Sequence, residues 1–449
     1  YRYLQSYTDH FGLRPNIQLN AAVQDLRRID GQWELVLLID GIEKTARFDK
    51  LMVAVGTFHT PIIPEIENID KFAGDVRHSI TFSPSEQYKN KRVLIVGFHA
   101  SGVDVGSSLA GIASKILFSR KNGTIILPKF GPDGRTFDQA LTLPLMFFQM
   151  TLEKYLPRLW YYLLDSMCIQ IMNKAFPGAA EKYRLLPAPS METTTPLIVD
   201  QIWPFLESGF VELTGAVKRV TGPRSVELMD GTILEDLDAI IYCTGYRTEV
   251  PWMPQEWQPV PSPGDPPSLY QNIFPLHSDP EVRNSLAFMG QGATPFPGFA
   301  MLETVAMTVA QVWKGKVQLP PLEEMQSWYQ NNVDSREAVK KRMKYDATYY
   351  PLLLPLGPWW SFLDKTSGTD IIEHFSWTSW KSWSFWWRDR ELYQTCKQQP
   401  LSPAVFRLFQ GDKRKAWAGA RSQILYDHRL AEKRSQIKLE RDREDKKER

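Results

Sequence analysis

Two stretches of the chain repeat one order of apolar and polar positions. Ile17-Gln-Leu-Asn-Ala-Ala-Val23 and Val211-Glu-Leu-Thr-Gly-Ala-Val217 alternate near their starts and read as short strands. Asp40-Gly41 in the first copy and Asp230-Gly231 in the second stand between apolar alternations, which predicts a hairpin at each. Asp49-Lys-Leu-Met-Val-Ala-Val-Gly56 and Asp238-Ala-Ile-Ile-Tyr-Cys-Thr-Gly245 then close each copy with a buried strand, the glycine seven residues after the aspartate. Strand, hairpin, strand and glycine therefore occur twice in the same order.

The second copy has an upstream partner that the first lacks. Val93-Leu-Ile-Val96 is an uninterrupted apolar run, as in a strand buried on both faces of a parallel sheet. Gly97-Phe-His99-Ala-Ser101-Gly102 makes a glycine turn, a helix follows through Ala110, and Lys115-Ile-Leu-Phe-Ser-Arg120 is the second strand of a βαβ unit. Only 16 residues precede the first copy, so its matching βαβ unit is expected to be missing, roughly 100 residues with its connections. The chain begins at Tyr1, not methionine, and reads as a fragment or processed product.

Leu143 to Ile171 is apolar but interrupted by Glu153, Lys154, Arg158 and Asp165, which predicts one or two amphipathic helices. Ser285-Leu-Ala-Phe-Met-Gly290 again runs from buried strand into glycine, and Pro297 to Glu303 enters a helix ending at Trp313. Trp377, Trp380, Trp383, Trp386 and Trp387 fall mostly every third residue. They read as packed core or a lid, with an interfacial membrane helix as the alternative. The last 20 residues mix Lys, Arg, Asp and Glu and read as a solvated helix or disordered tail.

A chain of 449 residues allows roughly two to four domains. Its net charge of +2 gives no reason to expect a nucleic-acid partner. Cys168, Cys243 and Cys396 are widely spaced and form no CxxC pair, which points to a reducing compartment and away from disulfides or a thiolate metal site. No run approaches the roughly 20 apolar residues of a membrane span, and no signal peptide is visible. A cytoplasmic location is expected, with peripheral membrane attachment through the tryptophan-rich segment left open.

A glycine turn at a helix N-terminus suits phosphate, because unpaired N–H groups point outward and the helix dipole adds partial positive charge. Gly97 makes the tight turn, Ser101 opens the helix and Gly102 lets the helix pack closely on the strand. The middle position of G-x-G-x-x-G is His99, whose side chain either meets the diphosphate or swings out to donate a hydrogen bond to it. Arg120 lies 18 residues after Gly102 and is followed by Lys121. Cations there favour a 2′-phosphate and hence NADPH over NADH; a solvated basic turn is the plainer alternative. Gly56, Thr244 and Gly245 end buried strands at a carboxyl edge, where open α/β folds bind ligands.

The pattern Phe72-x-Gly74-x-x-x-His78-x-x-x-Phe82, just upstream of this turn, resembles the fingerprint of the flavin-containing monooxygenases at every defined position. Cys243-Thr-Gly-Tyr246 is similar to that family's Ala-Thr-Gly-Tyr element, and the resemblance covers residues 1 to about 330. It implies an α/β fold of two Rossmann-like dinucleotide-binding domains, the first lacking its N-terminal βαβ unit, plus a C-terminal extension. The expected parts are a remnant of the FAD-binding domain over 1–90, an NADPH-binding domain over 91–249 with a helical insertion at about 140–180, a returning FAD-domain segment over 250–330, and an extension over 331–449 with a charged tail from about 430.

The resemblance further implies FAD and NADPH as cofactors and a small-molecule substrate. In that scheme NADPH reduces FAD, the flavin captures oxygen as a C4a-hydroperoxide, and one oxygen atom passes to a soft nitrogen or sulfur centre. The functional residues are then cofactor contacts: Gly97, His99, Ser101, Gly102 and Arg120 for NADPH, and Gly56, Thr244 and Gly245 on the flavin side. His78 lies near the NADPH or serves as a hydrogen-bonded structural residue. No catalytic residue and no metal ligand is implied. Baeyer–Villiger relatives usually carry tryptophan where Phe82 stands, which leans the reading towards nitrogen or sulfur. A Baeyer–Villiger enzyme and an inactive fragment without a FAD pyrophosphate site are the alternatives.

Overall fold

A computed structural model describes residues 2–84, 86–262, 264–294, 298–343, 350–398 and 401–448. After α1 (Arg2–His10) come the strands β1 (Ala21–Ile29), β2 (Gln32–Ile39), β3 (Ile42–Phe48), β4 (Leu51–Val53), β5 (Thr60–Pro61), β6 (Asp75–His78) and β7 (Arg92–Val96). Helix α2 (Ala100–Leu109) leads to β8 (Lys115–Ser119) and β9 (Ile126–Leu127), then α3 (Leu143–Tyr155), α4 (Pro157–Ala175), α5 (Ala179–Lys182), β10 (Leu197–Ile198) and α6 (Trp203–Glu207). The strands β11 (Val211–Thr214), β12 (Val217–Gly222), β13 (Ser225–Leu228), β14 (Ile233–Leu234), β15 (Ala239–Tyr242), β16 (Tyr246–Arg247), β17 (Leu269–Tyr270) and β18 (Phe274–Pro275) follow, with α7 (Pro280–Arg283) before β19 (Leu286–Phe288). The remainder is helical: α8 (Gly298–Trp313), α9 (Leu322–Lys340), α10 (Leu356–Ser367), α11 (Ile371–Phe375), α12 (Trp380–Arg388), α13 (Arg390–Gln398) and α14 (Ala420–Glu448).

Five strands form a parallel sheet in the order β11-β8-β7-β15-β6. Their apolar runs fill both faces. Val93, Ile95, Ile116, Phe118 and Ile241 pack on the α2 side, while Leu94, Leu117, Ile240 and Tyr242 pack on the other. The fold is therefore α/β with a dinucleotide-binding sheet, and the fingerprint strand β6 forms its edge.

The duplicated unit is a three-stranded antiparallel meander followed by a parallel strand that ends in glycine. The first is β1-β2-β3, then β4 and Gly56; the second is β12-β13-β14, then β15 and Gly245. Asp40-Gly41 makes its expected turn with both residues at positive φ (49° and 81°), and Asp30-Gly31, which the apolar pattern does not single out, makes another (49° and 78°).

One expected strand is absent. Ile17 and Leu19 are exposed and the first strand starts only at Ala21. The equivalent Val211–Thr214 is a strand because β8, from the βαβ unit, pairs with it residue by residue. Residues 17–20 have no such partner among the described residues, and alternation alone does not hold a strand.

The chain beyond residue 331 shares one core with earlier segments. Leu143 and Met146 of α3, Phe274, Val305 and Val309 of α8, Trp359 and Leu363 of α10, Phe375, Leu392 and Phe406 are all buried in it. The apolar stretch from Leu143 forms two helices, broken where Pro157 lacks the N–H to continue the first. Pro297, expected to open the helix to Trp313, lies outside the described residues. The charged tail is helical; Lys438 of α14 lies 5.1 Å over the Phe130 ring.

Of the readings expected for the tryptophan-rich segment, packed core is not what the structure shows. Helix α12 turns Ser382 and Phe385 inward and leaves Trp380, Trp383 and Trp387 exposed. The inward side is already filled by Phe375, Phe385, Tyr393 and Phe409, whose rings stack on and edge one another.

Candidate functional site

Strand register decides what meets at the carboxyl edge of the parallel sheet. Ser119, Val96, Tyr242 and His78 stand in one row across β8, β7, β15 and β6. The next residues of each strand therefore leave the sheet together: Arg120, Gly97, Cys243 and Ser79. Four segments far apart in sequence thus leave one carboxyl edge together, the edge at which open α/β sheets bind ligands.

Gly97 has φ +114°, and a Cβ there would collide with the Cys243 carbonyl. Its N–H donates to Ser119 O (2.9 Å), and the Cys243 N–H donates to Val96 O (2.8 Å). Gly102 brings the first turn of α2 against the Gly97 carbonyl, where a Cβ has no room. Gly106 was missed: a Cβ there would stand 2.7 Å from the Phe118 ring. Its signal was a second glycine four residues after Gly102, one helical turn along the face that packs on the strand. Ser101 lies half-buried in the first turn, and the N-cap residue His99 makes no capping bond. The His99 imidazole turns aside instead, Nε2 donating to Thr195 O (3.3 Å). The Ala100, Ser101 and Gly102 N–H groups at the start of α2 precede the first bond of the helix, Val103 N–H to His99 O (2.9 Å).

Arg120 is used otherwise than its position in the sequence suggests. Its guanidinium donates to the carbonyls of Asn122 (2.9 Å), Tyr183 and Arg184 (2.9 Å). Burial lowers its pKa, and the nearby Arg184 charge lowers it further. The cations left exposed at this strand end are Lys121 and Arg184. Arg184 lies 64 residues from Arg120 in the chain, and nothing in the sequence links them.

The fingerprint is a packing device. A Cβ at Gly74 would strike the Asp238 carbonyl and stand 2.6 Å from the Phe72 ring, so glycine lets β6 close onto β15. Phe72 is buried below the sheet, and Phe82 packs on Tyr88 (5.6 Å between rings). His78 is buried, its Nδ1 accepting from the Ile80 N–H (3.2 Å) and its Nε2–H donating to Gly245 O (3.1 Å). Both ring nitrogens are committed, and the Tyr246 ring sits edge-on at 4.9 Å.

Burial lowers the His78 pKa, partly offset by the Gly245 bond. A histidine whose folded value is depressed stabilises the fold fully above its unfolded value, about pH 6.5, and loses that contribution as pH falls through the folded value. Between about pH 7 and pH 5 the midpoint of thermal unfolding is expected to fall less in His78→Gln than in the parent chain. Parallel falls in the two proteins would refute the assignment.

The two halves join where their glycine ends converge. β5, just after Gly56, pairs with β16, just after Gly245. The Ile62 N–H donates to Gly245 O (3.0 Å) and the Thr244 hydroxyl to Ile62 O (2.5 Å), so the Thr244 side chain is spent on the joint. Gly56 and Gly245 sit at φ +81° and +91° with open space where a Cβ would be.

On the other half, β4 pairs in parallel with β19, which ends at Gly290 (φ +83°). Around it Gln271, Asn272 and Gln291 are buried, and the acceptors Gln271 Oε1, Asn272 Oδ1 and Gln291 Oε1 have no partner among the described residues. Gln271 and Asn272 hold positive φ (54° and 56°). Sequence reasoning missed all three; the available signal was a polar pair inside the apolar run Leu269 to Phe274. A flavin ring carries an N–H and its ribityl chain carries hydroxyls, and donors of that kind suit these orphaned acceptors. Cys168, Cys243 and Cys396 are free and buried, the Cys243 thiol pushed up to about 12 by burial. Among the described residues no His, Cys, Asp and Glu cluster is placed to hold a metal ion, and no helix is long and apolar enough to cross a membrane.

A parallel sheet with a glycine turn ahead of its helix, bridged through the short β5–β16 pair to a second parallel pair that ends in glycine, defines a two-dinucleotide oxidoreductase architecture. The chain belongs to the flavin-binding monooxygenase-like family, whose profile matches residues 1–446. Monooxygenase aurF of Gibberella zeae is 33% identical over 440 residues, spanning 94% of this chain and 81% of that protein. Human flavin-containing monooxygenase 2 is 29% identical over 325 residues, 71% of this chain but only 58% of its own length, less than two thirds. Among solved structures, cyclohexanone monooxygenase from Rhodococcus sp. Phi1 bound to NADP+ superposes with a TM-score of 0.55 over 82% of this chain and 81% of its own, at 16% identity, which is a likeness of fold.

Proposed function

We propose that the protein is an NADPH-using flavin monooxygenase that places oxygen on a soft nitrogen or sulfur centre of a small molecule. The observation that carries this reading is the shared register that brings the Gly97 turn beside the β5–β16 joint, where both glycine-ended strands converge. When bound, FAD supplies oxygen activation and NADPH the reducing hydride. The chain's own residues bind and orient. Amides of Ala100, Ser101 and Gly102 would hold the NADPH pyrophosphate, and Lys121 and Arg184 its 2′-phosphate, with Arg120 shaping the loop that carries Arg184. Gly56 and Gly290 would admit the flavin close to the backbone, with Gln271, Asn272 and Gln291 as acceptors. The joint made by His78, Thr244 and Gly245 would fix one half against the other, and Phe82 supports a nitrogen or sulfur substrate over a ketone.

Calorimetric titration of the full chain with NADP+ and NAD+ tests the cofactor side without flavin. NADP+ is expected to bind about tenfold or more tighter than NAD+, and Arg184→Ala to erase most of that margin. Equal affinity for the two nucleotides would remove the 2′-phosphate site, and no binding of either would favour an inactive chain. With FAD added, turnover of a thioether or tertiary amine in preference to a cyclic ketone is the expected result.

A further inference from the structure

We propose that α12 is a membrane-docking element, its outward tryptophan face lying at the headgroup level of an anionic lipid bilayer. Trp380 and Trp387 are each 82% exposed, Trp377 is 74% and Trp383 is 59% exposed. Trp380, Trp383 and Trp387 follow i, i+3, i+7 spacing and share one side, while Ser382 and Phe385 face the core. This inverts the ordinary surface helix, whose largest apolar side chains turn inward. So much contiguous indole in water marks a surface that works by being covered.

The chemistry of the rim selects the cover. The segment 377–398 carries four cations (Lys381, Arg388, Arg390, Lys397) and two acids (Asp389, Glu391), a net of +2. Both acids are already bonded to Arg421, and Lys381 is bonded to Glu373. Arg388 and Arg390 are exposed beside the rings; Arg390 lies 5.3 Å over Trp386, and Lys397 lies 5.6 Å over Trp377. Indoles take the headgroup level because the ring is apolar and its N–H is not, and cations beside them meet lipid phosphate and carboxylate. A helix of nine residues, about 13 Å long, lies in the interface rather than spanning it. Helix α12 packs against α11 and α13 and carries none of the residues assigned to the cofactors, so this inference does not depend on the cofactor reading.

Co-sedimentation of the full chain with vesicles of phosphatidylcholine alone, and of phosphatidylcholine with phosphatidylserine, tests it. Two double variants, Trp380→Ser with Trp387→Ser and Arg388→Gln with Arg390→Gln, change only exposed side chains, and an unchanged unfolding midpoint confirms that each is folded. The parent chain is expected to bind the phosphatidylserine vesicles, and the tryptophan pair to weaken that by about tenfold or more. The arginine pair is expected to weaken it on the order of tenfold at low salt while leaving phosphatidylcholine binding unchanged. A parent chain that stays in the supernatant with both vesicles, or a tryptophan pair that binds equally well, overturns the proposal. So does a lipid-free parent chain that sediments as a dimer while the tryptophan pair sediments as a monomer, since the face would then join two copies.

Discussion

Alanine at Gly97 is expected to cost about 3–5 kcal/mol of folding free energy and to remove nucleotide binding with it. Two effects add. The backbone there has φ +114°, a region closed to L side chains, and the new Cβ would enter the Cys243 carbonyl at the point where β7 and β15 run in register. Relief requires β7 and β15 to part, and that moves the first turn of α2. Gly111→Ala separates the two effects, because Gly111 also has positive φ (+79°) but would place its Cβ in open space, with nothing within 4 Å. It should lose only about 1 kcal/mol and keep NADP+ affinity. Urea unfolding of both variants with nucleotide titration makes the comparison. Equal losses would mean that the close approach of Gly97 to Cys243 contributes nothing.

Asp364→Ala is expected to destabilise the helical third by about 3–5 kcal/mol. The buried carboxylate accepts from Thr369 Oγ1 (2.6 Å), the Ile371 N–H (2.8 Å) and the Ile372 N–H (3.0 Å), tying the end of α10 to the start of α11. Alanine leaves the Ile371 and Ile372 N–H groups without their acceptor and leaves Thr369 Oγ1 with the Ser367 hydroxyl alone. Burial raises the carboxyl pKa against the pull of those donors, so the neutral isostere in Asp364→Asn should cost distinctly less than alanine. Urea unfolding at neutral pH measures both, and an asparagine variant as damaged as the alanine one would show that charge, not hydrogen bonding, holds this corner.

The candidate site was legible where backbone conformation is written in residue type. Gly97 and Gly102 follow from the turn that the β7–α2 connection needs, whereas the Phe72 to Phe82 pattern gave a family resemblance and only the structure shows that it holds an edge strand. Side-chain direction was not legible. Arg120 stands at the right strand end, yet its guanidinium donates to carbonyls 63 and 64 residues away, which no local pattern announces. Thr244 and His78 were marked by motif, and their polar atoms turn out to be committed to the joint between the halves. The tryptophan spacing left core, lid and interfacial helix open, because periodicity states which residues lie together and not which side has a partner.

By itself the sequence determined the local and repetitive part of this protein: two meanders turned by Asp-Gly pairs, a buried parallel strand ahead of a glycine turn, and glycines at the strand ends where the chain needs positive φ. Those features depend on neighbours a few residues apart. The tertiary structure alone decided that residues 17–20 form no strand while Val211–Thr214 do, that the two glycine ends meet through β5 and β16, that Arg184 joins the Arg120 corner, and that α12 shows its tryptophans to the outside. Each of these depends on which distant surface arrives first to bury an apolar face or satisfy a polar atom, and long-range packing settles that competition.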